Sequence, residues 1–201
     1  MFKIGNVEIG SGAVLGPMAG FSDMPFRALC IEQGASLSYT EMISAKGLHY
    51  KNRNSLPLLA VSENEGPVAV QLFGSEPELM AEEAKKLESG PYDIFDINMG
   101  CPMPKIVNNG EGSALMRNPS LVGEIVSAMS ETLTKPVTIK IRKGFNDEEI
   151  KILAETGTGI CHCPISNMKL SSGTARIPSY TASASMPQLL TAFTCFPANT
   201  P

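Results

Sequence analysis

No apolar run in the 201-residue chain approaches the eighteen or so residues that a membrane-spanning helix needs. No secretory leader precedes the first element, and the five cysteines are odd in number and irregular in spacing. Those absences argue against a spanning protein, fit a reduced cytoplasmic protein better than a disulfide framework, and predict free thiols. Positive charge is also scarce: the net charge is -4 and the pI near 5.3, which argues against a nucleic-acid surface spread over the whole chain but leaves room for a local basic site. No Gly-x-Gly-x-x-Gly follows any predicted strand, so a dinucleotide fold is not indicated. With 43% hydrophobic and 18% charged residues the chain is globular and large enough to bury a core, yet short for two full domains.

What is present is an alternation. Lys3–Ile9 reads as a hairpin turning at Gly5-Asn6 and closing the bottom of the fold. Ala13-Val14-Leu15 reads as a first strand ending in Gly16-Pro17-Met18-Ala19-Gly20, small residues that let a ligand approach the backbone; Ser22 or Asp23 then caps a helix running to Gly34. Ser36–Glu41 is a second strand, followed by a polar loop through Ser44, Lys46, Tyr50 and Lys51. In Val68–Phe73 the period of two places Val68, Val70 and Leu72 on one face and Ala69, Gln71 and Phe73 on the other. Met80, Ala84 and Leu87 have helical spacing, with Glu82, Glu83, Lys85 and Lys86 expected on the wet side. Asn118-Pro119 opens a helix with a stripe from Leu121 to Leu133, and Val137–Arg142 alternates so that Thr138, Lys140 and Arg142 share one face.

Five strands alternating with helices predict a parallel sheet in the order of a (β/α)8 TIM-type barrel, of which about five β/α units are present. Gln71, Asn98, Lys140 and Arg142 stand near the ends of otherwise apolar strands, positions that look into the top of a barrel lumen. The centre of the reading is Asp96-Ile97-Asn98-Met99-Gly100-Cys101-Pro102, where a buried strand runs into a loop that opens on a cysteine. Past about residue 157 the pattern breaks: from Ile160 to Pro201 there is no Asp or Glu and the only charges are Lys169 and Arg176, where an ordinary stretch holds roughly ten. The expected division is therefore 1–157 as barrel and 158–201 as an aberrant or disordered tail. Cys161-His162-Cys163 lacks the spaced ligand pairs of a zinc centre, so no metal is expected.

These residues resemble the bacterial tRNA-dihydrouridine synthases over about residues 1 to 150. Gly16–Gly20 looks like the family's first flavin loop, Thr40-Glu41-Met42 its second strand end, Val70-Gln71-Leu72 its third, and Val137–Lys143 its fifth. Asp96–Pro102, with Lys105, Gly110, Gly112 and Leu115-Met116, looks like its signature. The resemblance implies FMN on a barrel, NADPH or NADH as reductant, and reduction of a tRNA uridine to 5,6-dihydrouridine. In that scheme reduced FMN gives hydride to C6 and Cys101 protonates C5. It implies Pro17, Met18, Ala19, Gln71 and Lys140 as flavin contacts, Gln71 by donor and acceptor together, with Asn98 and Arg142 on the substrate. A thiol whose reference pKa is near 8.5 stays mostly protonated at neutral pH, which suits a proton donor. The helical RNA-binding domain of the family has no counterpart here, so weak tRNA binding and little turnover are expected. Two alternatives remain: another FMN barrel oxidoreductase such as a dihydroorotate dehydrogenase, and a non-catalytic barrel fragment.

Overall fold

The computed structural model describes residues 2–10 and 13–141, together with the backbone of Cys161–His162 and Thr191–Ala192. Arg142 and all of the 158–201 segment except those two short strands lie outside the described residues. The chain divides into two compact units, Met1–Asn98 with Gly123–Thr138, and Met99–Val122 with Ile139–Pro201.

In the first unit, β1 (Phe2–Ile4) and β2 (Val7–Ile9) form the expected antiparallel hairpin, pairing Phe2 with Ile9 across Gly5 at φ +56°. A main parallel sheet follows in sequential order: β3 (Val14–Leu15), β4 (Leu37–Tyr39), β6 (Val68–Phe73), β7 (Ile94–Asn98) and β8 (Val137–Lys140), with the short β5 (Ile43–Ser44) pairing the far end of β6. Sequential parallel order with intervening helices is the signature of a (β/α) barrel rather than of a doubly wound sheet, whose order reverses at a switch point. The helices of this unit are α1 (Met24–Glu32), α2 (Ala45–His49) and α3 (Pro77–Leu87), with most of α5 (Pro119–Thr132); α4 (Pro104–Val107) belongs to the second unit. Helix α1 begins where Asp23 accepts the amide of Phe26, as the sequence predicts.

β6 and β7 are buried on both faces, as a parallel sheet covered on each side requires. Their register sets Ala69 against Ile94 and Gln71 against Asp96. Tyr39 pairs with Ala69 in the same way. One face of the sheet is thereby stacked in layers. Leu37, Tyr39, Ala69 and Ile94 form an apolar layer, onto which Ile4 and Ile9 of the hairpin pack, closing that end. Toward the C-terminal strand ends the same face turns polar, with Gln71, Asp96 and Thr138.

The expected polar loop after β4 is instead β5 and the five-residue helix α2, started by Ser44 accepting the amide of Gly47. Glu83, expected on the wet side of α3, is only 5% exposed. It turns inward to meet His49 and Lys86.

Candidate active site at the strand ends

The polar layer is a hydrogen-bonded chain. Gln71 donates from Nε2 to Oδ2 of Asp96 at 2.6 Å, Thr138 donates from Oγ1 to Oδ1 of Asp96 at 2.5 Å, and Asn98 donates from Nδ2 to Oε1 of Gln71 at 2.9 Å. The Asn98 amide also lies 3.6 Å from Sδ of Met42. The backbone amide of Gln71 donates to Thr40 Oγ1, which itself donates to the carbonyl of Glu41. All of these side chains are buried save Met42, which is half-buried. A polar layer this deep in a sheet is costly unless every member is bonded, and it is; satisfied in this way, the layer holds its side chains in one arrangement.

The structure brings Gln71 and Asn98, both singled out by the sequence, into hydrogen-bond contact. It alters one detail: the carbonyl of Gln71 accepts from Asn98, so it is not available to take a ligand donor on the lone pair so used. Asp96 and Thr138 were not singled out by sequence reasoning. The available signal was the period of two, which puts Asp96 on the face of Asn98 and Thr138 on the face of Lys140.

The first loop is held from three sides. Ser22 accepts the Met18 amide at 2.8 Å and donates back to the Met18 carbonyl, and the Gly20 amide donates to Glu41 at 2.9 Å, with Gly20 at φ +81°. Arg27, 1% exposed, donates to the Ser22 carbonyl and forms a buried ion pair with Glu65, which also accepts from Ser38. Pro17 is half-buried, while Met18 and Ala19 are exposed. The loop's shape is thus fixed by buried bonds while its tip stays accessible.

In the second unit, Cys101 is partly exposed and forms no disulfide; its carbonyl accepts the amide of Ser113 at 2.9 Å. Gly112 sits at φ +60°, and a Cβ there would stand 2.7 Å from the Cys101 carbonyl oxygen. Lys140 is half-buried and its carbonyl accepts the amide of Met99 at 2.8 Å. Lys105 is exposed on α4.

Elsewhere in the first unit, His49, Glu82 and Glu83 bring ligand-type atoms within 4.8 Å of one another. The ammonium of Lys86 reaches both carboxylates at 2.7 Å. Its hydrogen bond holds the Glu82 carboxyl below the ordinary value, and both carboxylates raise Lys86. Lys46 pairs with Glu76 at 2.8 Å.

The sequential parallel strands define a (β/α)-barrel chain, and the polar layer lies at their C-terminal ends, the end at which that fold carries its active sites. It belongs to the dihydrouridine synthase (Dus) family, whose model matches residues 14–168. Among curated relatives, a probable tRNA-dihydrouridine synthase of Rickettsia bellii is 41% identical over 149 residues, covering 74% of this chain and 46% of the relative. One of Treponema pallidum is 39% identical over 154 residues, covering 74% and 45%. The tRNA-dihydrouridine synthase B of Vibrio parahaemolyticus is 38% identical over 146 residues, covering 73% and 45%. The chain therefore spans a little under half the length of these relatives.

Proposed function

We propose that this chain carries the flavin- and uracil-recognising part of a tRNA-dihydrouridine synthase, and that its reaction is the reduction of a tRNA uridine to 5,6-dihydrouridine. The observation that carries the reading is the buried Thr138–Asp96–Gln71–Asn98 chain at the C-terminal strand ends, beside which stands the family match across residues 14–168.

The residues fit FMN on their own chemistry. Gln71 offers an amide group of the kind that bonds the pyrimidine edge of a flavin ring. Pro17, Met18 and Ala19 offer an accessible loop of small cross-section, pinned by Ser22 and Glu41, on which a flat ring can rest. Lys140 supplies a cation suited to an anionic ring edge. When bound, reduced FMN supplies a hydride to C6 of the uracil; NADPH or NADH is the reductant that regenerates it.

The protein's own part is binding and proton delivery. Asn98 orients the uracil by its amide and Arg142 meets the substrate. Cys101 gives the thiol proton to C5 and is left as thiolate, to be reprotonated from solvent. The substrate uridine is stacked in folded tRNA and must be turned out before it can reach such a site, at a cost of a few kcal/mol.

The test is a single-turnover assay with unmodified tRNA, FMN and NADPH, with the chain in excess and the product read by mass spectrometry. The reading predicts a gain of two hydrogens at a uridine, lost in C101A. A gain that persists in C101A, or turnover of orotate in place of tRNA, contradicts it.

A further inference from the structure

The strand ladder carries an irregularity beside the site. Tyr39 stands opposite Ala69 and Ile43 opposite Leu72, so four steps from β4 to β5 are matched by three along β6. Residues 40–42 therefore hold one residue more than the partner strand, the arrangement of a β-bulge, which bends a strand and re-aims its side chains. Here the backbone amide of Gln71 donates to the hydroxyl of Thr40 at 3.0 Å, and that hydroxyl donates in turn to the carbonyl of Glu41 at 2.9 Å. Thr40 is fully buried, and its own amide donates to the Ala69 carbonyl. Glu41, half-buried, extends its carboxylate to the first loop and accepts the amide of Gly20 at 2.9 Å. That loop otherwise bonds largely to itself: the amides of Phe21 and Ser22 both donate to the Met18 carbonyl, and the Met18 amide donates to the Ser22 hydroxyl. Arg27 ties the Ser22 end of the turn to the fold, and Glu41 ties its tip at Gly20. A turn held at one end can pivot; held at two points it has one position.

We infer that Thr40 and Glu41 are positioning residues of this site: the run from the Gln71 amide through the Thr40 hydroxyl to Glu41 and Gly20 is a strut that sets the first loop at a fixed place relative to Gln71. The loop through Pro17, Met18 and Ala19 is the proposed rest for a flat ring, and Gln71 is the proposed reader of its edge, so the strut fixes how the ring's support stands to its edge contact. Neither Thr40 nor Glu41 needs to touch the ring. Each position has a stated chemical requirement. Position 40 must both accept and donate, which a hydroxyl does and a methyl does not, and position 41 must carry an acceptor oxygen on a side chain long enough to reach Gly20. The inference rests on the proposed flavin site for the identity of the ring; the strut itself does not.

The test compares the full chain with E41A, E41Q, T40V and T40S in three measurements: FMN affinity from flavin fluorescence, urea unfolding, and hydrogen exchange at the Gly20 amide. E41A removes the acceptor and is expected to weaken FMN binding by about tenfold, the size of one lost charge-assisted bond. Gly20 is expected to exchange faster in this variant while the urea midpoint moves little, since the bond lies at the surface. E41Q keeps an oxygen that accepts the same amide and is expected to restore FMN affinity to within about threefold of wild type. T40V keeps the shape without the hydroxyl and is expected to change FMN affinity and Gly20 exchange in the same direction as E41A. T40S keeps the hydroxyl and is expected to behave as wild type in both.

Wild-type FMN affinity in E41A overturns the inference. So does an E41Q chain that binds FMN as weakly as E41A, because the charge and not the bond to Gly20 is then what counts. A folded T40V chain with wild-type affinity and exchange overturns it as well, since the strut then does not run through position 40. If T40V does not fold, E41A against E41Q carries the decision. A wild-type chain that fails to bind FMN refutes the functional reading instead, and Gly20 exchange in E41A against E41Q then decides the strut alone.

Discussion

Gly112 shows how a single backbone position shapes the cysteine loop. Its φ of +60° is one that L side chains rarely adopt, and the space a Cβ would fill is taken by the carbonyl and Cβ of Cys101. G112A is therefore expected to destabilise the chain by roughly 1–3 kcal/mol and to displace Cys101, which urea unfolding and the rate of thiol alkylation would report. At Cys101 itself, replacing the thiol with the far weaker acid of a hydroxyl in C101S is expected to lower uridine reduction by about 10²-fold or more, with little change in FMN affinity, as a kinetic and a binding measurement side by side would show. Cys101, Gln71 and Asn98 stand out in the sequence because polar or reactive residues at or just past the end of an apolar strand run against the local pattern. Asp96 does not, because one strand read alone shows which face a residue takes but not which partner stands opposite. The partner is set by the register of β6 on β7, a long-range property.

At the scale of elements, strand and helix identities followed from period and caps: the hairpin at Gly5-Asn6, α1 behind Asp23, β6 and β7, and α5 behind Asn118. Helix α2 did not, since five residues containing a glycine carry no readable period; only its Ser44 cap signalled it. Glu83 was misplaced because a helix facing α2 as well as the sheet buries a wider arc than one apolar stripe suggests. Glu88, at the end of α3, binds Lys85 and both the amide and the hydroxyl of Thr134, tying α3 to the turn before β8. Those bonds, that from Lys85 first, pull its carboxyl down from 4.5 to about 2. A depressed acid adds stability that is fully present above pH 4.5 and disappears as pH falls toward 2. E88Q is accordingly expected to flatten the decline of the melting temperature across that acid range while leaving the neutral side of the profile without this contribution.

Across the first unit, the hairpin plug and the buried Arg27–Glu65 pair do the long-range work. Ile9 is fully buried in the apolar layer, so I9A is expected to cost about 2–5 kcal/mol in urea unfolding. E65A leaves the guanidinium of Arg27 buried without its carboxylate and is expected to cost about 3–5 kcal/mol by the same measurement, with loosening of the Met18–Ser22 turn that Arg27 supports. The Arg27–Glu65 pair was not visible from the sequence, because it joins residues far apart in the chain, whereas the hairpin's place at the bottom of the fold and the sequential strand order were, because each carries its own local signal. Among the described residues no helix is long and apolar enough to cross a membrane.

The account's central claim is that the Gln71 amide of the polar layer recognises the ring of a flavin. Titrating the full chain with FMN while recording the visible absorption band tests it most directly, with Q71L as the paired control. The account predicts a saturable perturbation of the band in the wild-type chain, kept in C101S and lost in Q71L. A wild-type band that never departs from that of free FMN, or a Q71L chain that perturbs it equally, would contradict it.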